Sequence, residues 1–333
     1  MKAKVLVTGG AGFLGSHVTD ALIMDYEVVV LDDLSGGFVD NVHPNATFIQ
    51  GTILDHELID RLFREHKFRQ VFHLAAYAAE GLSHFIKRFN YENNLIGSVN
   101  LINASVNHGV DSFVFTSSIA VYGANQLPMH EDLIPQPEDS YGIAKLAVEQ
   151  ELKASHHMFG LNYVIFRPHN VYGERQNLGD PYRNVIGIFM NQIMQGLPVT
   201  VFGDGKQTRA FTHIQDIAPV IASAGANKAA FGQVFNVGAD VPYSVNQLVD
   251  CVGDAMGTRP QIKYEEARKE VMHAYSSHEK VRRYFQCPAD TSLTAGLKQM
   301  AAWASQAGVR KGKPFSGIEI ERGLPASWRR IVR

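Results

Sequence analysis

A glycine-rich loop near the start of the chain limits the folds that the rest can adopt. The apolar run Val5–Val7 leads directly into the loop Thr8–Gly15, which opens a helical pattern. Gly9 can take a tight turn, Gly12 lets the backbone approach a bound anion, and Gly15 lets the helix pack closely on the strand. Glycine turns also join strands to helices where nothing binds. The loop therefore predicts a strand-helix-strand unit first and an anion site only with further support.

Strand and helix patterns alternate along the first half of the chain. Further short runs are apolar at nearly every residue, and they cover residues 28–31, 48–49, 71–74, 113–115 and 163–166. Strands of this kind suit a parallel sheet that is covered on both faces. The longest helical patterns cover about 84–108 and 141–159. The pattern predicts an α/β protein with a Rossmann-like, doubly wound parallel sheet.

The regular alternation of strand and helix patterns ends after residue 172, where glycine, proline and charged residues become more frequent. A late apolar run, Val234–Val237, is predicted to return to the large sheet. We expect a dinucleotide-binding Rossmann domain over residues 1–172, with about 216–238 returning to it. Residues 173–333 would form mainly a smaller substrate-binding α/β lobe. The basic chain end, with Arg322, Arg329, Arg330 and Arg333, is predicted to be a solvated tail.

The overall composition excludes several classes of partner. A chain of 333 residues suits a two-lobed enzyme, and its net charge of −2 provides no global attraction for nucleic acid or an anionic membrane. Cys251 and Cys287 lack the spacing of a zinc site or redox pair, so we expect buried thiols and no metal. No signal peptide and no run of about 20 apolar residues is present. The prediction is a cytoplasmic protein.

Two carboxylates support a dinucleotide site. Asp32 and Asp33 close the second predicted strand, and Asp32 follows Gly15 by 17 residues. A carboxylate at this place can accept hydrogen bonds from both adenosine ribose hydroxyls, and it repels a 2′-phosphate. The alternative is a solvated residue at a strand end. Together with the glycine loop, Asp32 predicts NAD rather than NADP.

Tyr141 and Lys145 form a second pattern, because residues four apart share one face of a helix. A free tyrosine has a pKa near 10, and a nearby ammonium and an oxidised nicotinamide would both favour its phenolate. Ser118 stands 23 residues earlier, at the end of the fifth predicted strand. Its hydroxyl could bond the oxygen that reacts. A tyrosine and lysine at this spacing alone are usually a helix surface pair, so the combination with Ser118 matters.

The order of these motifs resembles the extended short-chain dehydrogenase/reductase family. Within it, the chain is most similar to nucleotide-sugar epimerases and dehydratases, the UDP-glucose 4-epimerases above all. The shared elements are the glycine loop, Asp32, residues 73–76, Asn94, 116–123, 141–145, 167–173, 203–209, 235–238 and Arg268. The resemblance therefore covers nearly the whole chain.

The resemblance implies a role for each matching position. Ser118, Tyr141 and Lys145 would be the catalytic residues. NAD would contact Gly9, Gly12, Phe13, Leu14, Asp32, Asp33, Leu74, Ala75, Ala76, Asn94, Tyr141, Lys145 and Pro168. The nucleotide sugar would contact Ser118, Asn170, Val201, Arg209, Arg268 and Tyr275. In this family the helices that correspond to 84–108 and 141–159 pair two subunits, which implies a homodimer.

Two positions depart from the family pattern. Gly51-Thr52 stands where Gly-Asp is usual, which weakens one expected contact with adenine. Ala210 replaces a frequent acidic residue after Arg209, which leaves the orientation of that arginine open.

The expected reaction follows from two apolar residues. Dehydratases of the family carry Asp-Glu where this chain has Ile119 and Ala120, and related decarboxylases carry Glu at the second position. The side chains of Ile119 and Ala120 cannot transfer a proton. Epimerisation through a transient 4-keto sugar and a retained NAD therefore fits this sequence better than dehydration or decarboxylation. Tyr275 aligns with a position that limits pocket size, which favours UDP-glucose and UDP-galactose. The alternatives are UDP-glucuronate or a UDP-N-acetylhexosamine as substrate, a dehydratase or reductase, and a non-catalytic NAD-binding sensor.

Overall fold

Parallel strands form the centre of the protein in the computed structural model, which describes residues 2–310 and 315–332. The strands within this part of the chain are β1 (Lys4–Thr8), β2 (Glu27–Asp32), β3 (Thr47–Gln50), β4 (Gln70–His73), β5 (Ser112–Thr116), β6 (Tyr163–Pro168), β7 (Val171–Tyr172), β8 (Val199–Phe202), β9 (Thr208–Ala210), β10 (Thr212–His213), β11 (Gln233–Val237), β12 (Pro242–Ser244), β13 (Ile262–Glu265) and β14 (His273–Ala274).

The helices surround these strands. They are α1 (Phe13–Leu22), α2 (His56–His66), α3 (Glu80–Ser83), α4 (Lys87–Tyr91), α5 (Gly97–Asn107), α6 (Ser140–Phe159), α7 (Val185–Met194), α8 (Ile214–Ala224), α9 (Val245–Ala255), α10 (Glu279–Tyr284), α11 (Leu293–Ala307) and α12 (Ala326–Val332). A wider, π-helical turn over Glu92–Ile96 joins α4 to α5. Over the described ranges, no helix combines the length and the apolar character that crossing a membrane requires.

The large sheet has the order β11-β6-β5-β4-β1-β2-β3, and all of its neighbours are parallel. The chain runs outward from β1 to β3 and then crosses back to β4, which lies on the other side of β1. The connections that follow β1 and β4 therefore lead to opposite faces of the sheet. A crevice opens between them at the carboxyl ends of the two strands, which is the usual ligand site of such sheets. The prediction of a doubly wound, Rossmann-like sheet is confirmed.

Apolar side chains cover both faces of this sheet, which explains why its strands lack alternation. On one face Val5, Val7 and Val28 pack with α1 and α8. On the other face Leu6 and Val71 pack with α2, α5 and α6. Burial on both faces requires apolar residues at successive positions of a strand.

Two segments after residue 172 pack on the large sheet. β11 pairs with β6, as the apolar run Val234–Val237 predicts. The short helix α10 also returns, since Val281 and Phe285 join the same core as β11, and the Phe285 ring lies 5.2 Å from that of Phe235. The return of α10 could not be predicted from the sequence, because six residues are too few to display a helical period.

The smaller lobe has its own core. Helices α7, α9 and α11 bury Phe189, Leu248 and Leu297 against β8. The neighbouring strands form small sheets of the order β12-β9-β14 and β13-β8. Cys251 and Cys287 are both free thiols and half-buried, so their expected full burial is only partly met.

The end of the chain folds back against the large domain. Trp328 is only 2% exposed and packs edge-on against Phe85 and Tyr182. The Glu319 carboxylate accepts hydrogen bonds from the backbone N–H groups of Arg88 and Phe89, at 2.9 and 3.0 Å. The prediction of a solvated tail is therefore only partly right: Arg322 and Arg329 are exposed, but the segment between them packs on the protein through the buried Leu324 and Trp328. The Arg330 side chain and Arg333 lie outside the described residues.

A buried ion pair fastens α6 to β6. Arg167 donates from Nε to Glu149 Oε1 at 2.9 Å and from Nη2 to Oε2 at 2.5 Å. The side chains are 2% and 0% exposed. Ser117 Oγ donates to the same Oε1 at 2.5 Å, and the guanidinium stacks 4.6 Å from the centroid of Tyr122. Removal of either charge would leave the other buried without a partner.

Replacement of Glu149 tests this anchor. Glu149→Gln keeps the shape but leaves the Arg167 charge uncompensated, so we expect the free energy of unfolding to fall by about 3–5 kcal/mol. The matched control is Glu27→Gln, which breaks an exposed pair with Lys4 and should cost about 1 kcal/mol or less. Urea denaturation measures both. Equal losses for the two variants would show that the buried pair is no anchor.

Replacement of Trp328 tests the folded chain end. Trp328→Ala removes a buried ring, and we expect it to cost about 3 kcal/mol of unfolding free energy. Met158→Ala, at a side chain that is 68% exposed, should change stability little. Urea denaturation compares the two variants. If the Trp328→Ala protein were as stable as the Met158→Ala protein, the chain end would not be packed on the rest of the protein.

Candidate active site

One cleft, with a volume of about 1640 Å³, runs across the carboxyl ends of the large sheet and continues into the smaller lobe. Pockets for a single small ligand typically measure roughly 300–1,000 Å³. The cleft is thus large enough for a dinucleotide and a second nucleotide side by side.

The glycine loop forms one wall of the cleft. Gly9 has a φ of +74°, and a Cβ there would lie 2.7 Å from the backbone nitrogen of Ala75. A Cβ on Gly15 would lie 2.1 Å from the Gly9 carbonyl oxygen, so the helix approaches the loop only because both residues are glycines. No side chain caps the N-terminus of α1, and Gly12, Phe13 and Leu14 line the cleft there. Free N–H groups at a helix start suit a pyrophosphate.

Asp32 and Asp33 lie beside this loop and line the cleft. Asp32 also supports the loop, because Oδ2 accepts from the Ala11 N–H at 3.0 Å and Oδ1 from the Leu34 N–H at 2.8 Å. Burial raises the pKa of Asp32, and these hydrogen bonds oppose the rise. Each carboxylate oxygen retains a lone pair for a ribose hydroxyl. The loop and Asp32 together fit an adenine dinucleotide.

The opposite wall of the dinucleotide end contains Leu74, Ala75, Ala76 and Pro168, all lining residues as predicted. Asn94 is not a lining residue. It lies buried behind the wall, where its side chain accepts from the Tyr77 N–H at 2.8 Å and donates to the Tyr77 carbonyl at 3.1 Å. In the protein alone, Asn94 therefore positions the loop after β4.

Ser118, Tyr141 and Lys145 meet in the middle of the cleft. The Ser118 hydroxyl accepts from the Ala120 N–H at 3.1 Å and is hydrogen-bonded to the Tyr141 phenol. The Lys145 Nζ lies 5.7 Å from the centroid of the Tyr141 ring and donates to the Thr116 carbonyl at 2.8 Å. The structure thus brings together the three residues that the sequence proposes as catalytic.

Three contacts fix the start of α6, which carries Tyr141. Asp139 caps the helix by accepting from the Gly142 N–H at 2.8 Å. Ser83 Oγ accepts from the Tyr141 N–H at 3.2 Å, and Asn90 donates to the Ser140 carbonyl at 2.7 Å. Because the second and third of these contacts come from α3 and α4, the phenol is positioned in part by elements that are distant in sequence.

Burial is the largest influence on the pKa values of Tyr141 and Lys145. It raises the pKa of Tyr141, the charge of Glu80 adds to the rise, and the hydrogen bond to Ser118 opposes it. Burial also lowers the pKa of Lys145 to about 7, against the attraction of Glu149. The ammonium of Lys145 is expected to favour the phenolate. In the protein alone, burial is the largest influence on the pKa of Tyr141 and raises it, so a cation bound beside the phenol would help to stabilise the phenolate.

Two arginines line the part of the cleft that the smaller lobe contributes. Arg209 Nη1 donates to the carbonyls of Thr208 and Met272 at 2.9 and 3.1 Å, and Nη2 donates to that of Val271 at 2.7 Å. These carbonyls fix the orientation that the departure at Ala210 leaves open. The Arg268 guanidinium stacks 4.0 Å from the Phe202 ring centroid.

The two arginines share one nearby carboxylate and so have fewer acceptors than they could use. The buried Nε of Arg268 has no hydrogen-bond partner among the described residues. Glu270 serves both guanidiniums, at 3.7 Å from Arg209 and 3.6 Å from Arg268. A diphosphate would supply the acceptors that this part of the cleft lacks.

The remaining predicted substrate contacts divide into two groups. Asn170 and Val201 line the cleft. Tyr275 does not line it, and its carbonyl accepts from the Met129 N–H at 3.0 Å. Over the described residues, Tyr275 thus stands apart from the side chains that line the cleft.

Two parts of the cleft lining were not predicted from the sequence. Glu80 lines the cleft, and so do residues 322–329 at the chain end. Each had a signal in the sequence, since Glu80 is the charged residue in the run 74–83, and Leu324 and Trp328 are apolar residues four apart.

The chain is similar to known enzymes over most of its length. The sequence pattern of the NAD dependent epimerase/dehydratase family matches residues 5–238. A putative UDP-glucose 4-epimerase of Methanocaldococcus jannaschii is 34% identical over 309 residues, which is 90% of this chain and 97% of that protein.

Solved structures give the same result. The Thermotoga maritima UDP-glucose 4-epimerase with UDP-glucose superposes with a TM-score of 0.86 at 35% identity, covering 91% of this chain and 99% of that one. The Bacillus cereus UDP-glucuronic acid 4-epimerase, in complex with UDP-glucuronic acid and NAD, gives 0.84 at 28% identity, with coverages of 91% and 99%. The resemblance drawn from the motifs is confirmed, and NAD is the cofactor. The chain belongs to the NAD-dependent epimerase/dehydratase family of the extended short-chain dehydrogenases/reductases.

Proposed function

We propose that this protein interconverts UDP-glucose and UDP-galactose by epimerisation at C4. One observation carries the proposal: Ser118, Tyr141 and Lys145 meet in the same cleft as a dinucleotide loop and two arginines that suit a diphosphate. The names of the relatives support UDP as the nucleotide and glucose as the sugar.

Each group in the cleft would then have a distinct task. NAD, when bound at the glycine loop and Asp32, supplies the acceptor and the donor of hydride. Tyr141 would take the proton from the sugar hydroxyl and return it to the keto oxygen afterwards, while Ser118 bonds that oxygen. Lys145 would favour the phenolate whenever it is protonated. Arg209 and Arg268 would hold the diphosphate, so that residues before 173 serve mainly NAD and later ones mainly the nucleotide sugar.

The apolar residues beside Ser118 favour epimerisation over elimination. Ile119 and Ala120 are buried and line a smaller cavity next to Ser118. Neither can transfer the proton that the family's dehydratases and decarboxylases require at these positions. Net oxidation of the sugar is not needed for epimerisation, so NAD would be regenerated in each turnover.

Tyr141→Phe tests the function. We expect this variant to retain its fold and NAD but to lose about a thousandfold or more in turnover, because the phenol is the proton acceptor. The control is Tyr284→Phe, at a partly exposed ring on α10, which should keep its activity. Both are incubated with UDP-, GDP-, CDP- and dTDP-sugars, and the products are separated.

The products distinguish the rival reactions. Epimerisation gives a product of unchanged mass with no accumulation of NADH. A product lighter by one water, net formation of NADH, or near-normal turnover by Tyr141→Phe would each contradict the proposal.

We also propose a homodimer formed through α5 and α6. Ile96, just before α5, and Ile143 on α6 are 49% and 43% exposed, so apolar surface is available on both helices. The pairing itself rests on the family resemblance, and the cytoplasmic location stays a prediction from the sequence.

The dimer is tested by light scattering at micromolar concentration. We expect twice the chain mass for the native protein and a shift towards the monomer for Ile143→Lys. Ile134→Lys, at a loop side chain that is 76% exposed, should leave the mass unchanged. A monomeric native protein would refute the dimer.

A further inference from the structure

Glu80 places a carboxylate where the sugar of a bound nucleotide sugar would react. It is the first residue of α3, and it lines both the large cleft and a smaller cavity of about 80 Å³. Ser118, Asn170 and Arg209 line the same small cavity. The Glu80 side chain is open to the cleft, although protein surrounds it on several sides.

The neighbouring carboxylates are already engaged. Asp139 caps α6, and Glu138 accepts from the Ala124 N–H at 3.0 Å. Glu270 lies between Arg209 and Arg268. Over the described residues, no hydrogen bond or ion pair involves the Glu80 carboxylate. Its acceptor capacity is therefore available to a ligand.

Charges on several elements act on Glu80. Burial and then Asp139 raise its pKa to about 7, Glu270 adds to the rise, and Arg209 and Arg268 oppose it. Glu80 in turn raises the pKa of Tyr141, so the two groups are close enough to interact. The Glu80 carboxyl therefore takes up a proton at a higher pH than an ordinary glutamate does.

We propose that Glu80 selects the sugar by charge, accepting hydrogen bonds from the hydroxyls of a neutral hexose and repelling a sugar that carries a carboxylate. This inference rests on the proposed function, and it separates UDP-glucose from UDP-glucuronate within it. A carboxylate is an acceptor that suits adjacent hydroxyls. A second carboxylate in the same enclosed space faces like-charge repulsion.

The test compares kcat/KM for UDP-glucose and UDP-glucuronate at pH 8. Glu80→Gln should raise the glucuronate-to-glucose ratio on the order of tenfold or more, because the repulsion is gone and the glucose hydroxyls lose an ionised acceptor. Glu80→Asp keeps the charge and should stay much nearer the native ratio. Glu266→Gln removes a charge from the same cleft but not from the small cavity, and it should leave the ratio unchanged. A native ratio in Glu80→Gln would overturn the proposal.

The pH dependence supplies a second readout. As pH falls from 8 to 6, Glu80 takes up a proton while the uronate carboxylate stays ionised, so the native ratio should rise. The contribution of Tyr141 cancels, because both substrates use the same base. In Glu80→Gln the ratio should be flat. A slope that persists in this variant would assign the effect to another facing group, such as His84 or Asp139, and would contradict the role of Glu80.

Binding measurements separate this proposal from the proposed reaction. Calorimetric titration of NAD-loaded Tyr141→Phe with UDP-glucose and UDP-glucuronate reports selection without turnover. We expect Tyr141→Phe to bind UDP-glucose more tightly than UDP-glucuronate, and we expect the double variant Tyr141→Phe/Glu80→Gln to lose this preference. That result would support selection by Glu80 even if the native protein catalyses a different reaction. Equal binding of both nucleotide sugars to Tyr141→Phe would overturn selection by charge, even if epimerisation occurs.

Discussion

The buried ion pair between Glu149 and Arg167 is the contact on which the arrangement of the site depends. Tyr141, Lys145 and Glu149 follow one another at intervals of four residues and so lie along one face of α6. Glu149 accepts from Arg167 on β6 and from Ser117 at the end of β5. Because Ser118 is the next residue, one carboxylate fixes the helix that carries the phenol and the turn that carries the hydroxyl.

Charge is distributed unevenly along the cleft. Arg209 and Arg268 lie on the smaller-lobe side, which suits a diphosphate, and Glu80 and Asp139 lie beside the phenol, with Arg209 close enough to Glu80 to line the same small cavity. Between them, Tyr141 and Lys145 are so deeply enclosed that burial favours the neutral form of each. The protein by itself thus holds the proton acceptor in its protonated state. A cation bound next to the phenol would change that balance, which links proton transfer to occupancy of the cofactor site.

The end of the chain completes the cleft from the other side. The centroid of the Trp328 ring lies 5.4 Å from the Arg268 guanidinium, and the ring also contacts Phe85 of the large domain. The Phe202 ring lies 4.0 Å from the same guanidinium and 6.4 Å from the Trp328 ring. An arginine packed against two aromatic rings loses little of its charge to solvent screening and remains oriented. The last residues therefore act on the nucleotide end of the site although they follow both lobes in the sequence.

Features that depend only on local spacing could be predicted from the amino-acid sequence. The glycine loop, Asp32 and the pair Tyr141 and Lys145 needed only a turn, a strand end and a helical period, and their order along the chain identified the family. Features that depend on distant neighbours became apparent only in the folded chain. Asn94 lies behind the wall, Tyr275 outside the lining, and Glu80 and Trp328 within the cleft. Burial and charge at a side chain are set by whatever packs around it, and those neighbours come from helices and loops that no local pattern specifies.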